Sequence, residues 1–110
     1  MGTLVSDDDM HEVMRVLSDE TGAAARAAHE YLDDLTKTVL AELMNESDAK
    51  SANEREAWAR SQPKFREHLE KVGKFAKQDY VWRQRYAAAS AKLEVWRTQS
   101  ANARQAERIR

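Results

Sequence analysis

The chain contains no cysteine, and this absence excludes two kinds of site. Without thiols a protein can form neither disulfides nor thiolate-bound metal centres. No run of about twenty apolar residues occurs either, so the sequence predicts no membrane-spanning helix. We therefore expect a soluble, cytoplasmic protein that needs no cofactor.

Proline, glycine and aromatic residues are also scarce. The 110 residues include one proline and three glycines, and aromatic residues make up 7%. Charged residues reach 34%, a composition that suits long solvated helices better than a sandwich or a barrel. The composition predicts an all-α fold in a single domain, since a chain of this length forms one core at most.

Charge is divided unevenly along the chain. Residues 1–50 hold twelve acidic and four basic side chains, a net charge of −8, whereas residues 51–110 hold seven acidic and fourteen basic ones, a net charge of +7. The total of −1 therefore hides an acidic first half and a basic second half. If helices from the two halves pack together, opposite charges along their flanks favour one orientation.

The first half of the chain has the pattern of one long helix. Ser6 is suited to the N-cap position, and apolar residues then recur at helical spacing. These signals predict a helix over 8–46 after a flexible N-terminus of residues 1–7. Gly22 destabilises a helix interior by about 1 kcal/mol relative to alanine, so a break near 18–22 is an open alternative.

A short helix and a second long helix follow. Ser51 begins a capping-box pattern that predicts a helix over 52–61, with Trp58 as its expected anchor. Pro63 suits the first turn of the next helix, and a heptad pattern continues from it over 63–105.

These elements predict an antiparallel, coiled-coil-like hairpin of two long helices joined by a short helix. The short connector lets each apolar stripe cover the other, with Trp82, Tyr86 and Trp96 on the seam. Asp79 interrupts that seam. Because a two-helix core is thin, we expect the leftover apolar residues to make the chain a homo-oligomer.

Side-chain combinations typical of enzymes are almost absent. The histidines His11, His29 and His68 do not form the i, i+4 pair of a helical zinc site. His29 begins the sequence HEYLD, in which an aspartate stands where a zinc protease has its second histidine. A local His29–Asp33 contact on a helix surface is the simpler interpretation. We expect a protein that is not an enzyme and binds no metal.

A basic segment near the C-terminus is the best functional candidate. Residues 80–110 hold seven basic and two acidic side chains, a net charge of +5, interleaved with two Trp and two Tyr. Cations that neutralise phosphates and rings that stack on bases are what single-stranded nucleic acid binding requires. The candidate nucleic-acid-binding residues are Tyr80, Arg83, Arg85, Lys92, Arg97, Arg104 and Arg108. Tyr80 is the expected stacking residue, because it lies off the predicted seam.

A structural role for the same segment stays open. Aromatic rings on a helical seam belong to the core more often than to a stacking surface. Cations on the flanks, among them Arg83, Arg85, Lys92 and Arg97, could instead pair with the acidic first helix.

The second half of the chain resembles the C-terminal helix of small phage-encoded helical proteins that accompany recombination functions. The resemblance rests on the run KFAKQDYVWRQRYAAASAKLEVWRTQSANAR, in which Leu93, Trp96 and Arg97 match an E-x-W-R-T type ending. In size and layout the chain is also similar to UvsY-type recombination mediators. That resemblance covers residues 28–105 in pattern, leaves residues 1–21 unmatched, and implies a helical oligomer that binds single-stranded DNA.

Two functions of different classes follow from these observations. The first is a phage-type accessory protein that binds single-stranded DNA through its basic C-terminal helix and assists a recombinase or annealing protein. The second is a non-enzymatic scaffold that docks a protein partner through its acidic N-terminal helix, where Met10, Met14 and Leu17 follow Asp7, Asp8 and Asp9.

Overall fold

The computed structural model describes residues 4–109 of the chain. Five helices follow one another along it: α1 Asp7–Ser18, α2 Thr21–Asp34, α3 Thr36–Glu46, α4 Ala52–Arg60 and α5 Pro63–Ile109. No strand occurs within the described residues, so the predicted all-α fold class is confirmed. None of these helices, over the same residues, combines the length and apolarity needed to cross a membrane.

The helix expected over 8–46 is in fact three helices, and the first break falls after Ser18. There Asp19 takes up extended backbone angles, with φ −77° and ψ 125°. The Ser18 hydroxyl donates to the Met14 carbonyl at 2.7 Å, a local bond that competes with continuation of the helix. The alternative of a break near 18–22 is therefore confirmed.

A second, milder interruption lies at Leu35, and the sequence does not predict it. The Leu35 N–H still donates to the Tyr31 carbonyl at 3.1 Å, so the hydrogen-bond ladder continues through this residue. The next residue, Thr36, donates its hydroxyl to the Leu32 carbonyl at 3.3 Å and contacts His68 Nε2 at 2.9 Å. Back-bonding of this kind commonly bends helices.

The second half of the chain begins its helices where the sequence predicts them. The Ser51 hydroxyl caps α4 by accepting from the Glu54 N–H at 3.1 Å, and α5 begins at Pro63. The bounds of α4 and α5 lie close to the expected 52–61 and 63–105, and α5 continues to Ile109.

The chain packs into two compact units, and α5 contributes to both. The central unit comprises residues 21–80. The terminal unit comprises residues 1–20 and 81–110, of which 4–20 and 81–109 are described.

The core of the central unit lies where α3, α4 and the start of α5 meet. Leu43, Ala59 and Phe65 are each at most 4% exposed, and they are flanked by the half-buried side chains Val39, Leu40 and Met44. Trp58, the expected anchor of α4, is 37% exposed, so that expectation is wrong. The neighbouring Ala59, about 100° further round the helix, takes the buried position.

Two polar contacts cross the central unit between α2–α3 and α5. His29 Nδ1 lies 3.0 Å from Asp79 Oδ2, and Thr36 contacts His68. His29 in α2 thus meets the later residue Asp79 of α5, and Thr36 in α3 meets the earlier residue His68. The α2–α3 segment and this part of α5 therefore run antiparallel. The expected His29–Asp33 contact is replaced by this long-range pair, in which Asp79 is only 3% exposed.

The terminal unit pairs α1 with the C-terminal half of α5. Val13 and Ala89 are its buried apolar residues, at 1% and 5% exposed. The Gln99 side chain holds the backbone of Val5, accepting from its N–H at 2.7 Å and donating to its carbonyl at 3.1 Å. Val5 and Ser6 are therefore tied down, although residues 1–7 are predicted to be flexible; residues 1–3 lie outside the described part.

Candidate nucleic-acid interface

The acidic start of α1 is held in place by a capping box. Ser6 Oγ accepts from the Asp9 N–H at 3.1 Å, and the Asp9 carboxylate accepts from the Ser6 N–H at 3.0 Å. The backbone and side chain of Ser6 lower the pKa of Asp9, and Lys92 lowers it further. The folded form of α1 therefore favours the charged form of the Asp9 carboxylate.

Glu12 connects this acidic helix to the cations of α5. It accepts from Arg15 Nε at 2.9 Å, and this hydrogen bond is the main cause of its lowered pKa. The fields of Lys92 and Arg85 lower the pKa of Glu12 further. Two of the seven candidate DNA-binding residues, Arg85 and Lys92, therefore act on α1 of the same chain.

A groove of about 380 Å³ lies between α1 and α5 in the terminal unit. Its apolar surface centres on the buried Val13 and the half-buried Trp82, and the Arg85 guanidinium lies 5.1 Å from the centre of the Trp82 ring. Charged side chains of both helices form its rim. The lining residues are Glu12, Val13, Arg15, Val16, Trp82, Arg85, Ala88, Ala89 and Lys92.

The candidate basic residues of the terminal unit divide between two faces of α5. At 100° per residue, Arg97, Arg104 and Arg108 lie within about 40° of one another, and Arg83, about 21 Å before Arg97 along the axis, lies within about 60° of each of them. Arg85 and Lys92 lie about 120–140° away from Arg97, on the side of the groove. The candidate cations of the terminal unit therefore do not all lie on one face of α5.

The last turns of α5 are exposed and carry two of the candidate cations, Arg104 and Arg108. Every residue from 101 to 109 is exposed, and within residues 4–109 neither Arg104 nor Arg108 makes an ion pair. Arg97 pairs with Glu94 at 2.9 Å, on a surface where both side chains are well exposed. Arg83 is engaged in an intramolecular interaction.

The aromatic candidates also differ in their surroundings. Tyr80 is 64% exposed, in agreement with its expected place off the seam, and it belongs to the central unit. Trp82 and Trp96 are half-buried. Tyr86 is 50% exposed, so the expectation that it lies on the packed seam is wrong.

The three histidines lie in different surroundings. His29 and His68 make the polar contacts of the central unit, and His11 is exposed on α1. Residues 4–109 contain no group of three or more histidine, aspartate or glutamate side chains that could hold a metal ion.

The groove is the feature that sequence reasoning missed. A heptad pattern identifies the stripe that packs, but it treats the two flanks of the stripe alike. Helical periodicity already separates Arg85 and Lys92 from Arg97, but it does not show which of the two faces lies beside α1.

Comparison of this chain with protein families, curated proteins and solved structures finds no match. The resemblance to UvsY-type mediators thus stays an expectation from the sequence.

Proposed function

We propose that this protein is a non-enzymatic, self-associating accessory protein that binds single-stranded DNA and assists a recombinase or annealing protein. The observation that carries the proposal is the uncovered end of α5, where Arg104 and Arg108 are exposed and have no ion pair among the described residues. The alternative is that the cations of α5 serve only to stabilise its packing on α1. Arg85 and Lys92 lower the pKa of Glu12 in α1, whereas Arg104 and Arg108 are not among the groups that lower it.

The DNA-binding surface is narrower than the sequence suggests. It consists of Arg97, Arg104 and Arg108, which span about 16 Å along the helix axis at 1.5 Å per residue. A stripe of this length reaches two or three phosphates of an extended strand, and each neutralised phosphate adds a salt-dependent contribution to binding. Tyr80, the most exposed aromatic ring of α5 among the described residues, stays the proposed stacking residue, but it belongs to the central unit and is not part of this arginine surface.

Self-association would raise the low affinity for DNA that one short row of arginines gives by itself. Two or three phosphate contacts give weak binding, whereas several copies on one strand raise the overall affinity through a high effective concentration. Two-helix packing in the terminal unit, where Val13 and Ala89 are the fully buried apolar residues, supports the proposal that the chain associates with further copies.

Charge reversal at the exposed end of α5 tests the proposal. The double variant Arg104→Glu, Arg108→Glu should weaken binding to a fluorescent single-stranded oligonucleotide by at least about tenfold at low salt. Circular dichroism should be unchanged, because both side chains project from an uncovered helix end.

The matched control is Lys71→Glu, Lys74→Glu, which makes the same change of net charge at two exposed positions of α5 in the central unit. It should retain most of the affinity. Equal losses in the two double variants would mean that the oligonucleotide responds only to net charge, and the assigned surface would be wrong.

A scaffold function is the second candidate, and α1 supplies the observation that favours it. Asp7 and Asp8 are exposed in its first turn, and Met14 is 55% exposed. An acidic helix with an open apolar side chain can dock in the groove of a protein partner. In that case removal of residues 1–18 abolishes partner binding, whereas the arginines of α5 are dispensable.

A further inference from the structure

We propose that Tyr86 is the base-stacking residue of the arginine surface formed by Arg97, Arg104 and Arg108, and that its ring makes this surface selective for strands with unpaired bases. The inference rests on the DNA binding proposed above. It deepens that function by naming what the surface recognises besides phosphate.

Tyr86 is the exposed aromatic ring of the terminal unit. The described residues of this unit, 4–20 and 81–109, include three Trp, Tyr or Phe side chains, namely Trp82, Tyr86 and Trp96. Both tryptophans are half-buried, and the Trp82 ring lies 5.1 Å from the Arg85 guanidinium. Tyr86 is 50% exposed, and within residues 4–109 its side chain makes neither a hydrogen bond nor a contact with a cation. Half of its surface is therefore accessible to a ligand.

Tyr86 also lies on the same face of α5 as the arginine surface. At 100° per residue, it lies within about 40° of Arg97, Arg104 and Arg108. It precedes Arg97 by about 16 Å along the helix axis, at 1.5 Å per residue. Tyr80, in contrast, lies about 80–120° away from the three arginines and belongs to the central unit. A strand that follows the row of arginines towards the middle of α5 thus reaches the Tyr86 ring.

A ring beside a row of cations gives a selectivity that the cations alone lack. Arginines that bind phosphates carry no information about the bases, because every strand presents the same phosphates. A single strand also offers the flat faces of its bases, and these stack on aromatic side chains whatever the base. Tyr86 therefore adds affinity only for a strand whose bases are present and unpaired.

Substitution of the ring tests this assignment by titration with a fluorescent single-stranded oligonucleotide. Tyr86→Ala should weaken binding by at least about fivefold, and Tyr86→Phe, which keeps a ring, should stay within about twofold of the unsubstituted chain. The matched control is Tyr31→Ala, which removes a tyrosine that is 65% exposed in α2 of the central unit. It should also stay within about twofold. Equal losses in Tyr86→Ala and Tyr31→Ala would overturn the assignment.

Salt dependence separates stacking from a structural effect of the substitution. The slope of log affinity against log salt concentration reports how many phosphates the protein neutralises. Tyr86→Ala should therefore keep the slope of the unsubstituted chain, whereas Arg104→Glu, Arg108→Glu should reduce it. A reduced slope in Tyr86→Ala would mean that the variant has lost phosphate contacts, and the stacking role would be wrong.

An abasic strand of the same length tests the selectivity itself, because it keeps the phosphates and lacks the bases. The unsubstituted protein should bind it at least about fivefold more weakly than the ordinary strand, and Tyr86→Ala should lose most of that preference. If Tyr86→Ala keeps the preference, the role of Tyr86 is wrong while the proposed DNA binding stands. If the unsubstituted protein binds neither strand at about 50 mM salt, both are wrong.

Discussion

Asp79 is a charged residue in the apolar stripe of α5, and its partner explains how the stripe accommodates it. The carboxylate is 3% exposed and lies 3.0 Å from His29 Nδ1. No buried side-chain nitrogen or oxygen of the described residues lacks a hydrogen-bond partner. The sequence identifies Asp79 as an interruption of the seam. It does not identify the partner, because the local i, i+4 spacing to Asp33 is visible in the sequence whereas a contact across fifty residues is not.

Removal of the Asp79 carboxylate should therefore be costly. Asp79→Ala leaves the His29 ring without its partner, and we expect the free energy of unfolding to fall by about 2–4 kcal/mol. Asp33→Ala removes an exposed carboxylate four residues from the same histidine and should change it by less than about 0.5 kcal/mol. Urea unfolding at one fixed protein concentration measures both. If Asp33→Ala lowers the free energy of unfolding more than Asp79→Ala does, the local His29–Asp33 contact is the important one and this assignment is wrong.

At the scale of the elements, helix starts and a break near Gly22 could be anticipated from the sequence, whereas the interruption at Leu35 could not. Ser6, Ser51 and Pro63 mark three starts correctly, because caps and first-turn prolines act through nearby backbone groups. The break at Leu35 coincides with the contact of Thr36 to His68, which depends on packing. Apolar periodicity likewise could not distinguish Trp58 from Ala59 as the anchor of α4.

The capping box predicts how α1 responds to acid. The lowered pKa values of Asp9 and Glu12 mean that their charged forms stabilise the folded state. This contribution is present above the unfolded values near pH 4 and is lost as the pH falls through the folded values. Amide exchange in α1, corrected for its intrinsic pH dependence, should therefore accelerate between about pH 4 and pH 2.

Ser6→Ala should destabilise α1 at neutral pH, because it removes the side chain that caps the helix. Loss of an N-cap side chain destabilises a helix by about 1 kcal/mol, which corresponds to about fivefold faster exchange. Ser51→Ala, which removes the cap of α4, serves as the control and should leave α1 unchanged. If α1 exchanges equally in the two variants, the capping box does not hold it.

At the scale of the whole molecule, the cations in the basic second half of the sequence fall into two groups, those that act on α1 and those that do not. Arg85 and Lys92 act on the acids of α1, whereas Arg104 and Arg108 lie beyond the contact between Val5 and Gln99. The sequence shows an excess of cations in its second half, and only the packing distinguishes the cations that face α1 from those that do not. Of the seven candidate residues, four lie on one exposed face of α5, and the last three of them form the proposed surface. The four are Arg83, Arg97, Arg104 and Arg108.

The most direct test of the proposed function is a titration of the unsubstituted protein with a fluorescent single-stranded oligonucleotide at two salt concentrations. Three phosphate contacts per chain predict that the affinity falls by about twentyfold between about 50 and 200 mM salt, and by more if several copies bind together. No binding at about 50 mM salt, where such contacts are strong, would contradict the account. The exposed arginines of α5 would then have no role in DNA binding, and the scaffold function would replace it.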